Sequence, residues 1–217
     1  MMNTLEMDGI YLEYGLSRIL SSVFVKCKTG QIVGILGRNG YGKSSLLKIV
    51  FGSLAAQSKS VRINGESLFV PFSKNISYLP QDNLIPSYIT IRNALKLFNV
   101  DKQLIVDVFP EAKDHIDLKP SQISGGMLRI IEVLLILNSP SMFSLLDEPF
   151  SGIMPVHVDT LKEYMTTKKK EKGIIITDHL YRHVLEISDT LYVLANGKTY
   201  IVKNESQLIS LGYVNSL

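Results

Sequence analysis

Four glycines fall within nine residues of "GILGRNGYGKSSLLKIV", residues 34–50, and a lysine and two serines follow at once. Glycine at that density adds backbone freedom that folding must remove, so a segment that keeps it needs positive φ angles or close approach of main chain to a ligand. Gly37, Gly42, Lys43 and Ser44 satisfy the spacing G-x-x-x-x-G-K-[ST]. In that pattern backbone amides cradle phosphates, the lysine bridges the outer ones and the hydroxyl ligates magnesium. The whole loop of Gly37, Arg38, Asn39, Gly40, Tyr41, Gly42, Lys43, Ser44 and Ser45 is therefore a candidate phosphate site, with Mg2+ on Ser44. Two carboxylates, Asp147 and Glu148, close the apolar run "FSLL". The aspartate is placed to hold magnesium through water, the glutamate to act as general base toward a γ-phosphate. A second anion site is written in "ISGGM", 123–127, where Ser124, Gly125 and Gly126 open a long apolar helix and leave amides exposed at its positive end.

These groups need elements that aim them. Residues 5–36 alternate apolar and polar in short segments such as "SVFVKCK", which predicts antiparallel strands feeding a buried strand, "QIVGILG". That last strand is apolar on both faces, as in a parallel sheet covered on two sides. "SSLLKIVFG" then reads as a helix with a glycine stop, completing strand, glycine loop and helix. From about 84 to 123 only short amphipathic helices are predicted, including "TIRNALKLF" and "DKQLIVDVF". Buried strands "MFSLLDEP" and "GIIITDH", separated by a helix near 156–168, each end in polar residues. Open α/β sheets bind ligands at such carboxyl ends. The lysine-rich run 168–172 reads as a solvated helix end.

The 217 residues, 46% hydrophobic and 20% charged, suit one globular unit with a substantial core. A net charge of +3 permits an anionic partner without requiring one, and no nucleic acid partner is expected. The single cysteine, Cys27, sits on a strand-like segment and reads as a buried apolar side chain in a reducing compartment. No basic region followed by an apolar core opens the chain, and no apolar run approaches the roughly 18 residues that cross a bilayer. A cytosolic protein is expected, held at a membrane only by a partner.

Across nearly its whole length the sequence resembles the ATP-binding subunits of ABC transporters. The resemblance rests on ordered motifs: "GRNGYGKSS", the glutamine of "YLPQ", "ISGGM", "LLDEP", "FSGI" and the histidine of "TDH". Within the family, "LLDEPFSGI" followed by "IITDH" looks most like the subunits of lipopolysaccharide-export and branched-chain amino acid systems. The resemblance implies a single ATPase domain over 1–217. Its fold is an α/β P-loop core with a mainly parallel sheet, an N-terminal antiparallel β subdomain and a helical subdomain inserted at about 84–140. It implies ATP and Mg2+ as cofactors, with Tyr14 stacking on adenine and Tyr11 as the competing assignment. Gln81 would contact magnesium and the attacking water, and His179 the γ-phosphate; His115, His157 and His183 match no motif. The implied partners are a transmembrane permease subunit and a second ATP-binding subunit paired head to tail, on the cytoplasmic face of the membrane. Each ATP would then lie between the phosphate loop of one subunit and Ser124, Gly125 and Gly126 of the other.

Two positions depart from the family pattern. Met127 stands where a polar residue usually follows the two glycines, and Met154 where an aspartate usually links the two sites. Both belong to the surface that serves the opposite site, so the expectation divides between a heterodimer with one weaker site and a homodimer that tolerates both. Rival functions are a soluble ATPase of the same superfamily, such as one in iron–sulfur assembly, and an ATP-binding scaffold with weakened hydrolysis.

Overall fold

The structure, a computed structural model, describes residues 2–68, 72–203, 207–208 and 213. The chain opens with a long hairpin of β1 (Thr4–Tyr14) and β2 (Ser17–Lys28), followed by β3 (Ile32–Leu36). In β1 the period-two alternation buries Leu5, Met7, Ile10 and Leu12. A register shift near Gly9, at φ 58°, keeps that stripe inward past a bulge. Next come α1 (Lys43–Phe51), β4 (Ser58–Ile63), the two-residue β5 (Glu66–Ser67) and β6 (Ile76–Leu79).

The middle of the chain is helical: α2 (Ile91–Leu97), α3 (Lys102–Val106), two 3₁₀ turns at Pro110–His115 and Pro120–Gln122, then α4 (Gly125–Asn138). Thr90 and Asp101 cap α2 and α3 by accepting from Asn93 and Gln103 amides. The remainder alternates as β7 (Phe143–Asp147), α5 (Pro155–Lys168), β8 (Gly173–Thr177), α6 (Tyr181–Ile187), β9 (Thr190–Ala195) and β10 (Lys198–Val202).

Ten strands of the described residues form one sheet in the order β5-β4-β1-β2-β10-β9-β3-β8-β7-β6. The pairs β6/β7, β7/β8, β8/β3 and β3/β9 are parallel, whereas β1 pairs antiparallel with β2 and β4, and β9 with β10. Strand β3 is buried at every position because both of its faces are covered. Ile32 and Leu36 enter a core shared with α4 and α5, while Val33 and Ile35 enter another shared with α1 and β1. Cys27 lies in the second of these, fully buried, and burial pushes its thiol up to about 12. The fold is thus the expected α/β P-loop core with a mixed sheet.

One reading of the lysine run is corrected. Lys172 does not reach solvent: it is buried, and its Nζ donates to the carbonyl oxygens of Ser139 (3.0 Å) and Ile136 (3.4 Å). Those carbonyls close α4, a different helix from the one the run terminates. A cation there compensates the negative end of α4, and Gly30 accepts the turn by donating its amide to the Lys172 carbonyl.

Candidate nucleotide site

The glycine loop leaves the sheet from β3, between β8 and β9, and turns into α1 at Gly42. Gly42 has φ 94°, and a Cβ there would lie 2.7 Å from the Ile19 side chain, so both conformation and space require glycine. The first turn of α1 contains no acidic residue, which leaves its positive pole for an anion. Lys43 Nζ donates to the carbonyls of Gly37 (2.6 Å) and Arg38 (3.4 Å), holding the ammonium inside the curve of the loop. Burial pulls the Lys43 ammonium below the usual lysine range, opposed by Glu148, Asp147 and Asp178.

Facing the loop are the ends of three strands. Asp147, the last residue of β7, is fully buried and accepts from Thr177 Oγ1 (2.6 Å) and the Tyr78 hydroxyl (3.3 Å). Burial, and then that carboxylate, push the Tyr78 phenol well up. Glu148 follows with φ 53°, a left-handed conformation rare outside glycine, and its amide donates to the Thr177 carbonyl at 2.7 Å. Gln81 Nε2 donates to Glu148 Oε2 at 3.2 Å, and His179 Nδ1 lies 3.5 Å from the same oxygen. Side chains from two other loops therefore meet on one Glu148 oxygen.

Asp178 was not singled out by spacing, although it stands inside "TDH". It is fully buried and accepts from the amides of Phe150 (3.1 Å) and Leu180 (2.8 Å), tying the loop after β7 to the loop after β8. Arg129 and Glu132 on α4 were likewise unassigned. Their hydrogen bonds run to backbone groups far away in sequence, which no local pattern signals.

The loop and strand ends enclose a cleft of about 530 Å³ lined by Tyr14, Ile19, Asn39, Gly40, Gly42, Lys43, Ser44, Ser45, Gln81, Glu148 and His179. Gly37, Arg38 and Tyr41 belong to the same loop, and Asp147, fully buried, does not line the cleft. Tyr14, at the end of β1, is 54% exposed on the cleft rim, whereas Tyr11 is bound to Glu13 with the Arg18 guanidinium 5.5 Å over its ring. Ser124, Gly125 and Gly126 do not line this cleft. They open α4 elsewhere, with the Ser124 hydroxyl accepting from the Met127 amide, and Gly126 packs on the turn at Gly152. Met154, beside that turn, is exposed.

Residues 20–151 match the family model described as ABC transporter. The chain belongs to that family. It is an ABC ATP-binding subunit, it binds nucleotide, and it is an ATPase. It is 27% identical to the lipopolysaccharide export system ATP-binding protein LptB of Haemophilus influenzae, with 96% of this chain and 94% of that protein covered. It is 29% identical to the high-affinity branched-chain amino acid transport ATP-binding protein BraG of Pseudomonas aeruginosa, covering 89% of this chain and 90% of that protein. Among solved structures, an ATP binding subunit of an ABC transporter shares the fold at a TM-score of 0.83 and 21% identity, over 98% of this chain and 95% of the other. A bacterial Atm1-family ABC exporter with ATP bound has a TM-score of 0.81 at 17% identity, over 97% of this chain and 40% of that one. Among the described residues no helix is long and apolar enough to cross a membrane.

Proposed function

We propose that this ABC ATPase hydrolyses Mg-ATP to drive substrate translocation through a partner permease, as a single domain over 1–217 with a helical subdomain at about 84–140. The observation that carries the reading is the convergence of Gln81 and His179 on the Glu148 carboxylate, across a cleft from the Lys43 loop. Glu148 takes the proton from a water whose oxygen bonds to the γ-phosphorus as the bond to the bridging oxygen breaks. Gln81 orients that water, His179 reaches the γ-phosphate, and Lys43 with the amides of 37–45 holds the other phosphate oxygens. Tyr14 stacks on the adenine.

The residues fit magnesium. Mg2+ takes oxygen donors and is commonly held by one or two carboxylates together with substrate phosphates. Ser44 and Gln81 offer a hydroxyl and an amide oxygen, and the Asp147 carboxylate acts through water. When bound, the ion neutralises charge on the outer phosphates.

A groove of about 740 Å³, with Phe51, Tyr78, Leu84, Leu97, Phe98 and Ile136 on its walls, runs beside the Gln81 loop and includes Pro80. Its apolar lining and its place at the root of that loop support docking of an amphipathic permease helix, with the subunit peripheral on the cytoplasmic face. A second ATP-binding subunit, paired head to tail, supplies Ser124, Gly125 and Gly126 to the opposite nucleotide.

Turnover of the purified protein against Glu148→Gln tests the chemistry. Removing the general base should slow hydrolysis about 10²–10⁴-fold while nucleotide binding persists. Equal rates refute the assignment. Copurification of a polytopic membrane protein tests the partner, and recovery of soluble scaffold subunits alone refutes it.

A further inference from the structure

We propose that Arg129 and Glu132, an ion pair buried on α4, are positioning residues that lock the Gln81 loop and the Glu148 strand end to α4 as one unit. The inference rests on the ATPase reading above and assigns the pair no contact with substrate.

Arg129 is 6% exposed and spends its guanidinium on main-chain oxygens rather than on a ligand. Its NH1 donates to the Pro80 carbonyl (2.8 Å), its Nε and NH2 to the Glu148 carbonyl (3.3 and 3.1 Å), and its NH2 also to the Asp147 carbonyl. Those carbonyls lie at or just past the ends of the neighbouring strands β6 and β7. Glu132, fully buried one turn along α4, accepts on Oε1 from the amides of Leu84 (2.7 Å) and Ile85 (3.0 Å). Its Oε2 lies 3.6 Å from Arg129 NH1 and has no hydrogen-bond partner among the described residues.

Gln81 is therefore suspended between two anchors, Pro80 behind it and Leu84 ahead, both fastened to one face of one helix. Its amide meets Glu148 from this position. On the other side, Arg129 grips the peptide of Glu148, whose positive φ persists only if its surroundings over-determine it. Burial pushes the Glu132 carboxyl up and the Arg129 guanidinium down, so desolvation dominates both partners. A buried ion pair with that balance is a poor source of stability, and its best-attested use is to fix an arrangement. The guanidinium suits the role because its rigid planar fork spreads its donors over separate nitrogens and loses less freedom per bond than a flexible ammonium. Movement of the α4 N-terminal turn is thus passed to the water-orienting amide and the carboxylate together.

The test measures kcat, KM for Mg-ATP and calorimetric affinity for Mg-ADP in the full chain carrying Arg129→Met, Arg129→Lys, Glu132→Gln or Glu148→Gln. Arg129→Met should lower kcat at least about 30-fold with nucleotide affinity within about 3-fold, because no cleft-lining side chain changes. Arg129→Lys should recover part of the loss, and Glu132→Gln should lower kcat about 10-fold in the same split. Combining Gln81→Ala with Arg129→Met should cost no more than the larger single change, since both act through one arrangement. A folded Arg129→Met protein with kcat within about 2-fold of the parent, or with affinity falling in step with kcat, overturns the proposal. Should that variant fail to fold, Arg129→Lys and Glu132→Gln decide by the same criterion. An active Glu148→Gln protein refutes the general-base reading on which the proposal rests, whereas an inactive one beside an undiminished Arg129→Met protein refutes only the positioning role.

Discussion

Lys172 should make this protein more stable as the solution becomes more alkaline. The side chain is 4% exposed and forms no ion pair among the described residues; two α4 carbonyls and the hydroxyls of Ser144 (3.1 Å) and Ser141 (3.2 Å) surround its ammonium. Burial, and then the charge of Lys168, bring its pKa from 10.5 to about 8. Between those values the unfolded lysine carries a proton that the folded one has lost, so the unfolded state binds more protons and stability rises with pH. The interval of about 2.5 units at about 1.36 kcal/mol each sets the gain near 3 kcal/mol, a large share of the about 5–15 kcal/mol that holds a domain together. Urea unfolding of the parent and of Lys172→Met, at several pH values from about 7 to about 10.5, isolates the effect, because titrating groups that do not couple to Lys172 cancel in the difference. The parent should gain about 3 kcal/mol on the variant across that range, nearly all of it above the folded pKa. A difference constant to within about 0.5 kcal/mol would mean that the serines and helix carbonyls solvate the ammonium as well as water does, and would refute the reasoning.

Two further outcomes are expected from the geometry. A Cβ at Gly126 would sit 2.6 Å from the Gly152 carbonyl oxygen, whereas at Gly125 it would meet nothing within 4 Å. Gly126→Ala should therefore destabilise by about 1–3 kcal/mol through overpacking against backbone, while Gly125→Ala should stabilise α4 by up to about 1 kcal/mol, both read from urea midpoints. Tyr14→Ala should weaken Mg-ADP binding by about 1–3 kcal/mol if the ring stacks on adenine, with Tyr11→Phe within about 3-fold of the parent by calorimetry. Equal losses in the two variants would reject the choice of Tyr14.

Local pattern was enough to reach β3, β7 and β8, because strands buried on both faces read as unbroken apolar runs. The glycine loop was equally legible as a turn into a helix, since Gly42 sits at positive φ where α1 begins and the spacing marks that junction. The hairpin of β9 and β10 was signalled by Asn196–Gly197, both at positive φ, a turn pair that could have been used. The short edge strands β5 and β6 offered two and four residues, too few to establish a period. Lys172 and Arg129 were hidden for another reason. Each is satisfied by carbonyls of distant residues, so its environment comes from topology, and a charged residue in the sequence reads by default as solvated. Asp178 belongs with them: its acceptor role depends on Phe150, which only the pairing of β7 with β8 brings near.

The depth of Cys27 has a practical use. It is the single cysteine of the chain, and its thiol, sealed between β2 and β8 and pushed up to about 12, offers almost no thiolate to an alkylating reagent at neutral pH. The natural protein is consequently its own unreactive background for labelling. A cysteine installed at Met127 on α4 would be the sole site for a spin or fluorescent probe, so movement of that helix can be followed without first engineering a thiol away.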